Sequence, residues 1–97
     1  MTIIIENEGN IRTIILNRPE KLNSVNLKMA TELNQAVNNA ANDNSVGCLI
    51  ITGNGRAFSS GGDVNEMGEH LPKAGDLFYD LTEQIHSIFS TIIFNFS

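Results

Sequence analysis

The residues with the most potential for chemistry lie in one glycine-rich stretch, GNGRAFSSGGDVNEM, at residues 53–67. Its adjacent glycines, Gly61 and Gly62, let the main chain approach a ligand without a Cβ in the way. If a helix begins at about Val64, its first amides leave free N–H groups directed at that ligand. Such amides can hold the negative charge that develops on a carbonyl oxygen during a reaction. The alternative is a structural turn that uses glycine only for its positive φ.

The spacing within this stretch excludes three other kinds of glycine loop. A Walker A loop requires Lys and then Ser or Thr after its last glycine, and Asp63 follows Gly62 here. A dinucleotide-binding fingerprint requires a third glycine where this chain has Phe58. A nucleophile elbow requires a glycine two residues to either side of a serine, which neither Ser59 nor Ser60 has. If main-chain donors provide the chemistry, the loop needs no catalytic serine. Both serines are then expected to be small residues that fit, and the Ser59 hydroxyl is expected to be idle.

Composition limits the partners that the chain can have. The 97 residues suffice for at most one domain, and a net charge of −5 with six unclustered basic residues argues against nucleic acid or an anionic membrane. His70 and His86 lack ligand partners at helical spacing, so we expect no metal. Cys48 lies in an apolar run and is expected to be a buried, reduced thiol. With no secretory signal and no apolar run long enough to span a bilayer, the sequence predicts a cytoplasmic protein.

The glycine-rich stretch must be positioned by the elements that precede it. Two β-branched runs, TIIIE and IRTIILN, flank the turn formers of residues 7–10 and predict a β-hairpin. The second run, 11–16, is almost continuously apolar and is expected to be covered on both faces. A loop, NRPEKLNSVN, follows. The run VGCLIIT at 46–52 predicts a third strand, parallel to the second because a helical crossover joins them.

A helix is predicted over residues 27–42, with Asn26 as its N-cap. One apolar stripe at 3- and 4-residue spacing supports it: Ala30, Leu33, Val37, Ala40 and Ala41. A short helix is expected to begin at about Val64, and a longer one at Asp76. The final residues, IFSTIIFNFS, leave apolar side chains with no following element to cover them, so we interpret the chain as cut short or altered at its end.

Two motifs in a fixed order carry a resemblance to a known family. ILNRPEKLNSVN, followed by a helix and then by LIITGNGRAFSSGGDVNEM, resembles the crotonase superfamily of enoyl-CoA hydratases and isomerases. The similarity covers residues 3 to about 90 and corresponds to the N-terminal portion of a typical member. It implies an α/β fold made of the first ββα units of the crotonase spiral, within one truncated acyl-CoA-binding domain over residues 1–97.

The resemblance also implies a site for an acyl-CoA thioester. Gly62 matches the residue whose backbone N–H is the first donor of the oxyanion hole. Other residues match positions around the coenzyme A moiety: Lys21 and Leu22 in the loop that closes over it, with Lys21 placed to meet a phosphate, and Ser60, Gly61, Asp63 and Val64 along its path. Coenzyme A enters as part of the substrate, and no separate cofactor is implied. The parent family is expected to be homo-oligomeric.

The family supplies the rest of its site from later segments that have no counterpart in this sequence. The second oxyanion N–H and the catalytic glutamates come from those segments, and Glu66 and Glu69 do not match the catalytic positions. We therefore expect the chain by itself to be inactive. The alternatives are a non-catalytic remnant that binds coenzyme A weakly or pairs with a full-length relative, and an unrelated small α/β binding module. Hydratase, isomerase, hydrolase and dehalogenase activities all stay open for the parent enzyme.

Overall fold

A computed structural model describes residues 1–63 of the chain. The first two strands, β1 (Ile3–Glu8) and β2 (Ile11–Leu16), pair antiparallel. A helix, α1 (Leu27–Ala41), then leads to β3 (Cys48–Gly53), which pairs parallel with β2. The sheet order is β1-β2-β3. The predicted hairpin, helical crossover and parallel neighbours are therefore confirmed, although β3 begins later than expected.

The hairpin turn is tighter than the sequence suggested. Only Gly9 and Asn10 lie between the strands, because Glu8 already pairs with Ile11 and Asn7 with Arg12. Gly9 has a φ of 60°, the left-handed conformation that two-residue hairpin loops favour. The prediction of a four-residue turn was wrong for Asn7 and Glu8, whose turn-forming preference is outweighed by cross-strand pairing.

The predicted N-cap of α1 is confirmed by its geometry. The Asn26 side chain accepts a hydrogen bond of 2.8 Å from the Met29 N–H, which satisfies one of the donors left open at a helix start. The buried face of the helix is wider than the predicted stripe, since Met29 and Ala36 are also buried, while Ala41 is only half-buried. The helix ends at Ala41, one residue earlier than expected.

The core lies between α1 and one face of the sheet. It consists of strand residues from β1 and β2 and of helix residues facing them: Ile3, Ile14, Leu16, Met29, Leu33, Ala36 and Val37. Leu49 and Ile51 of β3 pack against this cluster. Each large aliphatic side chain that is fully buried contributes about 1.5–3 kcal/mol to folding. The packing of α1 against the sheet therefore fixes the direction in which the chain leaves β2 and β3 and enters the loops that follow them.

The opposite face of the sheet is open, which corrects two expectations. Ile4, Ile11 and Ile50 on this face are 39%, 39% and 44% exposed, and within residues 1–63 no element covers β2 there. Cys48 lies on this same outer face, paired with Ile11, and is exposed where a buried thiol was predicted. Both errors have the same cause. Apolar runs predict burial on two faces, whereas α1 packs against only one.

The remaining predictions on elements fall outside residues 1–63. They are the short helix near Val64, the helix from Asp76 and the apolar end of the chain. Within the part that is described, no helix has the length and apolar character needed to cross a membrane.

Candidate functional site

Two loops meet at the carboxyl ends of β2 and β3. We call residues 17–26 the proline loop and residues 54–63 the glycine loop. Parallel neighbours end at the same edge of a sheet, and ligands of open α/β sheets bind outside that edge. The first link between the loops is there: the Asn54 N–H donates to the Leu16 carbonyl (2.9 Å) and the Asn54 side chain donates to Asn17 Oδ1 (2.9 Å). The two sequence motifs are thus a single structural unit.

Asn23 is the buried centre of this unit. Its side chain has no exposed surface and makes three hydrogen bonds, one within the proline loop and two to the glycine loop. Its Oδ1 accepts from the Arg18 N–H (2.7 Å), and its Nδ2 donates to the carbonyls of Asn54 and Ala57, each at 2.9 Å. Asn23 also has a φ of 54°, a left-handed conformation that asparagine tolerates better than most residues. The amide therefore shapes both loops at once.

Ser59 binds the glycine loop back onto Asn23. Its hydroxyl donates to the Asn23 carbonyl (2.8 Å) and accepts from the Gly61 N–H (3.1 Å). The prediction that this hydroxyl is idle was wrong. The hydroxyl satisfies two main-chain groups that have no partner in the sheet. Because Ser59 and Asn23 are far apart in sequence, no local sequence pattern predicts this contact. Within residues 1–63 the hydroxyl contacts these two main-chain groups and no side-chain base.

An ion pair closes the far end of the unit. Arg18 Nη2 lies 3.0 Å from Asp63 Oδ2, and the two side chains are only 14% and 10% exposed. Arg18 Nη1 donates to the Ser24 carbonyl. Asp63, predicted to lie along the path of the coenzyme, is buried here, and its carboxylate binds Arg18. Arg18 was not among the predicted site residues, because a single arginine in a loop is most often a solvated charge.

Next to this pair the loops form one short parallel bridge, between Val25 and Gly62. The Val25 N–H donates to the Gly61 carbonyl (2.7 Å), and the Asp63 N–H donates to the Val25 carbonyl (3.0 Å). In such a bridge the residues before and after Gly62 bond to Val25. The N–H and carbonyl of Gly62 itself consequently point to the opposite side of the strand.

Gly62 differs from its neighbours in what its amide contacts. The Ser60 N–H donates to the Leu22 carbonyl (3.0 Å), the Gly61 N–H to Ser59 and the Asp63 N–H to Val25. Among residues 1–63, no acceptor contacts the Gly62 N–H. Gly62 is exposed, and a Cβ placed on it would meet nothing within 4 Å. Within residues 1–63, the exposed Gly62 thus carries an N–H without an acceptor, next to three amides that already have one.

The two glycines have different structural requirements. Gly61 has a φ of 105°, which side chains rarely adopt, so the simple turn interpretation accounts for glycine at that position. Gly62 does not have a positive φ, and its surroundings within the described residues are open. Neither backbone strain nor crowding by the described residues therefore explains why glycine stands at position 62.

The remaining predicted residues are placed as follows. Lys21 ends a short 3₁₀ turn, Pro19–Lys21, and is exposed. Leu22 follows with a φ of 53° and is 37% exposed, and its bond to Ser60 brings the proline loop directly against the glycine loop. Ser60 is exposed. Val64 lies outside the described residues, as do the two acidic residues and two histidines considered above: Glu66, Glu69, His70 and His86.

Comparison with known proteins agrees with this architecture. A family model described as enoyl-CoA hydratase/isomerase matches residues 6–92. A probable enoyl-CoA hydratase of Mycobacterium bovis is 37% identical over 68 residues, which are 70% of this chain and 26% of that protein. The 1,2-epoxyphenylacetyl-CoA isomerase of Escherichia coli is 41% identical over 59 residues, which are 61% of this chain and 22% of that protein.

A solved structure gives the same result for the fold. The crystal structure of an enoyl-CoA hydratase from Mycobacterium marinum superposes with a TM-score of 0.72 at 39% identity, covering 73% of this chain and 34% of that one. The predicted α/β fold, part of a crotonase-type fold, is confirmed. The chain spans about a quarter of the length of the first curated relatives that it matches, at 26% each. With a family model matching most of its residues, the chain belongs to the enoyl-CoA hydratase/isomerase family.

Proposed function

We propose that this chain provides part of an acyl-CoA thioester site, in which the Gly62 N–H donates to the thioester carbonyl oxygen. One observation carries the proposal: of the four successive amides from Ser60 to Asp63, only that of Gly62 has no acceptor within residues 1–63. An exposed donor flanked by bonded amides is preorganised. It costs no rearrangement when a carbonyl oxygen arrives.

The chemistry of the thioester explains why one N–H matters. Removing a proton from the carbon next to a thioester carbonyl, or adding a nucleophile to a conjugated enoyl thioester, places negative charge on the carbonyl oxygen. A fixed N–H donor stabilises that charge. Loss of one such donor raises the barrier by about 3 kcal/mol in enzymes that use an oxyanion hole. A main-chain donor needs no particular side chain, so the two serines of the loop have no role as nucleophiles in this proposal.

The coenzyme moiety is proposed to lie across the junction of the two loops. The exposed Lys21 ammonium would meet a phosphate, with Leu22 beside it closing over the ligand. Ser60, Gly61, Asp63 and Val64 would line the path. The direct bond between Ser60 and Leu22 supports this arrangement, because it keeps the two parts of the path at a fixed separation.

The proposal covers the step that hydratases and isomerases of this family share. The relatives above include both a probable hydratase and an isomerase, and each acts on a coenzyme A thioester by its name. The second oxyanion donor and the glutamates that move protons come, by family resemblance, from segments that do not match this chain. We therefore propose that the 97 residues bind an acyl-CoA without turning it over.

Binding of butyryl-CoA, a saturated and unreactive thioester, tests the site. Gly62→Ala keeps the N–H and meets no atom within 4 Å, so it should bind within about threefold of the wild type. Gly62→Pro removes the N–H and should bind at least about tenfold more weakly. Calorimetric titration of both variants measures this. Equal affinity of Gly62→Pro and the wild type, or no binding by the wild type, would overturn the proposal.

Turnover provides a second arm. The purified chain should not consume crotonyl-CoA above background, as followed by the absorbance of the conjugated thioester. If it binds butyryl-CoA and also turns over crotonyl-CoA, the proposal that this chain provides only part of the site is wrong.

A backbone ester in place of the Gly62 amide is a control for the proline variant. It deletes the N–H without adding a ring, so it separates loss of the donor from distortion of the loop by proline.

A further inference from the structure

The bridge that orients Gly62 is short. It consists of one residue pair and two hydrogen bonds, Val25 N–H to the Gly61 carbonyl and Asp63 N–H to the Val25 carbonyl. Two bonds between loops have no neighbouring ladder to protect them from opening. Something outside the bridge must therefore keep the two backbones in register if the direction of the Gly62 N–H is to be fixed.

The Arg18 guanidinium contacts both sides of this bridge. Its Nη1 donates to the carbonyl of Ser24, the residue before Val25, and its Nη2 donates to the carboxylate of Asp63, the residue after Gly62. Arg18 itself is tied into the unit through its backbone N–H, which donates to Asn23 Oδ1. One side chain thus joins the Ser24 backbone to the Asp63 carboxylate directly beside the bridge.

We infer that Arg18 is a positioning residue for the thioester, acting through the direction of the Gly62 N–H. This inference rests on the function proposed for Gly62. The guanidinium suits the task because its planar fork presents separate nitrogens to separate acceptors at a fixed spacing, which a lysine ammonium does not. The low exposure of the two side chains, 14% and 10%, shields the pair from competing water.

A purely stabilising ion pair is the simpler account, and the chain offers a matched control for it. Arg12 Nη2 lies 2.9 Å from Asp43 Oδ2, which joins β2 to the segment after α1, away from both loops. Arg12→Met and Arg18→Met each break one arginine–aspartate pair. If only overall stability mattered, the two variants would affect the glycine loop alike.

Amide hydrogen exchange, resolved by NMR on the full chain, measures the first consequence. In Arg18→Met the Val25 and Asp63 amides should exchange at least about tenfold faster than in the wild type, while amides of β2 keep their protection. In Arg12→Met the two bridge amides should exchange at the wild-type rate relative to β2. Unchanged exchange at Val25 and Asp63 in Arg18→Met, or the same acceleration in Arg12→Met, would overturn the inference.

The second measurement is the carbonyl chemical shift of the bound thioester, which a change in protein stability alone does not alter. Butyryl-CoA labelled with ¹³C at the thioester carbonyl should show a downfield carbonyl shift when bound at saturation to the wild type and to Arg12→Met. With Arg18→Met at saturation, the shift should return toward that of the free thioester, and Arg18→Lys should recover only part of it. An undiminished shift in Arg18→Met would show that Arg18 does not orient the donor.

The two proposals fail in different ways. Faster exchange at the bridge in Arg18→Met, with no butyryl-CoA binding by the wild type, would overturn the function proposed for Gly62 and with it the thioester role of Arg18. Thioester binding with an undisturbed bridge would overturn Arg18 alone. If Arg18→Met does not fold, Asp63→Asn takes its place, because it removes the charge of the pair and keeps the shape of the side chain.

Discussion

Where the two loops meet, hydrogen bonds from single side chains hold the backbones together. Leu22 and Asn23 both have left-handed backbone conformations, at φ values of 53° and 54°, which disfavour residues other than glycine. The bonds of the Asn23 amide to Arg18, Asn54 and Ala57 offset that cost. No side-chain polar atom buried within residues 1–63 lacks a partner. Polar contacts thus order the loops, together with the packing of Val25 against the core.

Ser59→Ala tests this view at the residue scale. It leaves the Asn23 carbonyl and the Gly61 N–H without their partner, so the free energy of unfolding should fall by about 1–2 kcal/mol. Ser60→Ala is the matched control, since the neighbouring hydroxyl is exposed and makes no hydrogen bond within the described residues. Urea unfolding followed by circular dichroism measures both. Equal stability of the two variants would show that the Ser59 hydroxyl is idle after all.

The exit of β3 into the glycine loop depends on close backbone contact. A Cβ on Gly53 would lie 2.5 Å from the carbonyl oxygens of Ala57 and Phe58, which are main-chain atoms and cannot swing aside. Gly53→Ala should therefore destabilise the chain by about 1–3 kcal/mol through forced displacement of the loop. Gly62→Ala, whose Cβ meets nothing within 4 Å, should cost far less. Thermal unfolding of the pair checks this, and the reverse order would contradict the placement of the loop.

The residue before strand β1 is joined to helix α1 by a polar contact. The Thr2 hydroxyl and N–H donate to Glu32 Oε1 at 2.6 and 2.9 Å, and these bonds lower the pKa of Glu32. A lowered pKa in the folded state means that the contribution is present above the unfolded-state pKa, about 4.3 for glutamate. It is lost as pH falls through the folded-state value.

The expected result is a stability difference that depends on pH. At pH 7 the wild type should be more stable than Glu32→Gln, and the difference should shrink on acidification below about pH 4. Thr2→Val removes the strongest of the bonds and should weaken this dependence. Urea unfolding at several pH values measures it. If the difference in unfolding free energy between the wild type and Glu32→Gln stayed constant from neutral to acid pH, the contact would not stabilise the ionised form of Glu32.

The sequence predicted the elements better than their surroundings. β-branched runs, turn formers and an N-cap asparagine act through neighbouring residues, so the hairpin, α1 and β3 could be derived from them. The exposure of the outer face and of Cys48 could not be derived, because apolar runs do not say which face a helix will cover. At the site, the glycines and serines marked the loop, but Asn23, Arg18 and the true role of Ser59 depend on contacts between distant residues.

At the scale of the whole molecule, the outer face of the sheet is the surface that most favours association. Ile4, Ile11 and Ile50 are exposed on it, and both β1 and β3 are edge strands in the described sheet. Exposed apolar surface beside an open strand edge favours association. We therefore expect the isolated chain to be marginally stable and to self-associate.

Equilibrium unfolding tests that expectation. The urea midpoint should rise with protein concentration over about a hundredfold range, as it does when association stabilises the folded state. Ile50→Lys, on the outer face and away from the core, should reduce this dependence. A cooperative transition that is independent of concentration, with a stability above about 5 kcal/mol, would mark a self-sufficient monomeric domain and contradict us.

The most direct measurement of the central claim is the amide NMR spectrum of the glycine loop during titration with butyryl-CoA. The Gly62 amide proton should move downfield as its N–H gains the thioester oxygen as an acceptor. The amides of Ser60, Gly61 and Asp63, which already have acceptors, should move much less. A titration in which butyryl-CoA binds but the Gly62 resonance does not shift, or shifts no more than its three neighbours, would contradict the account.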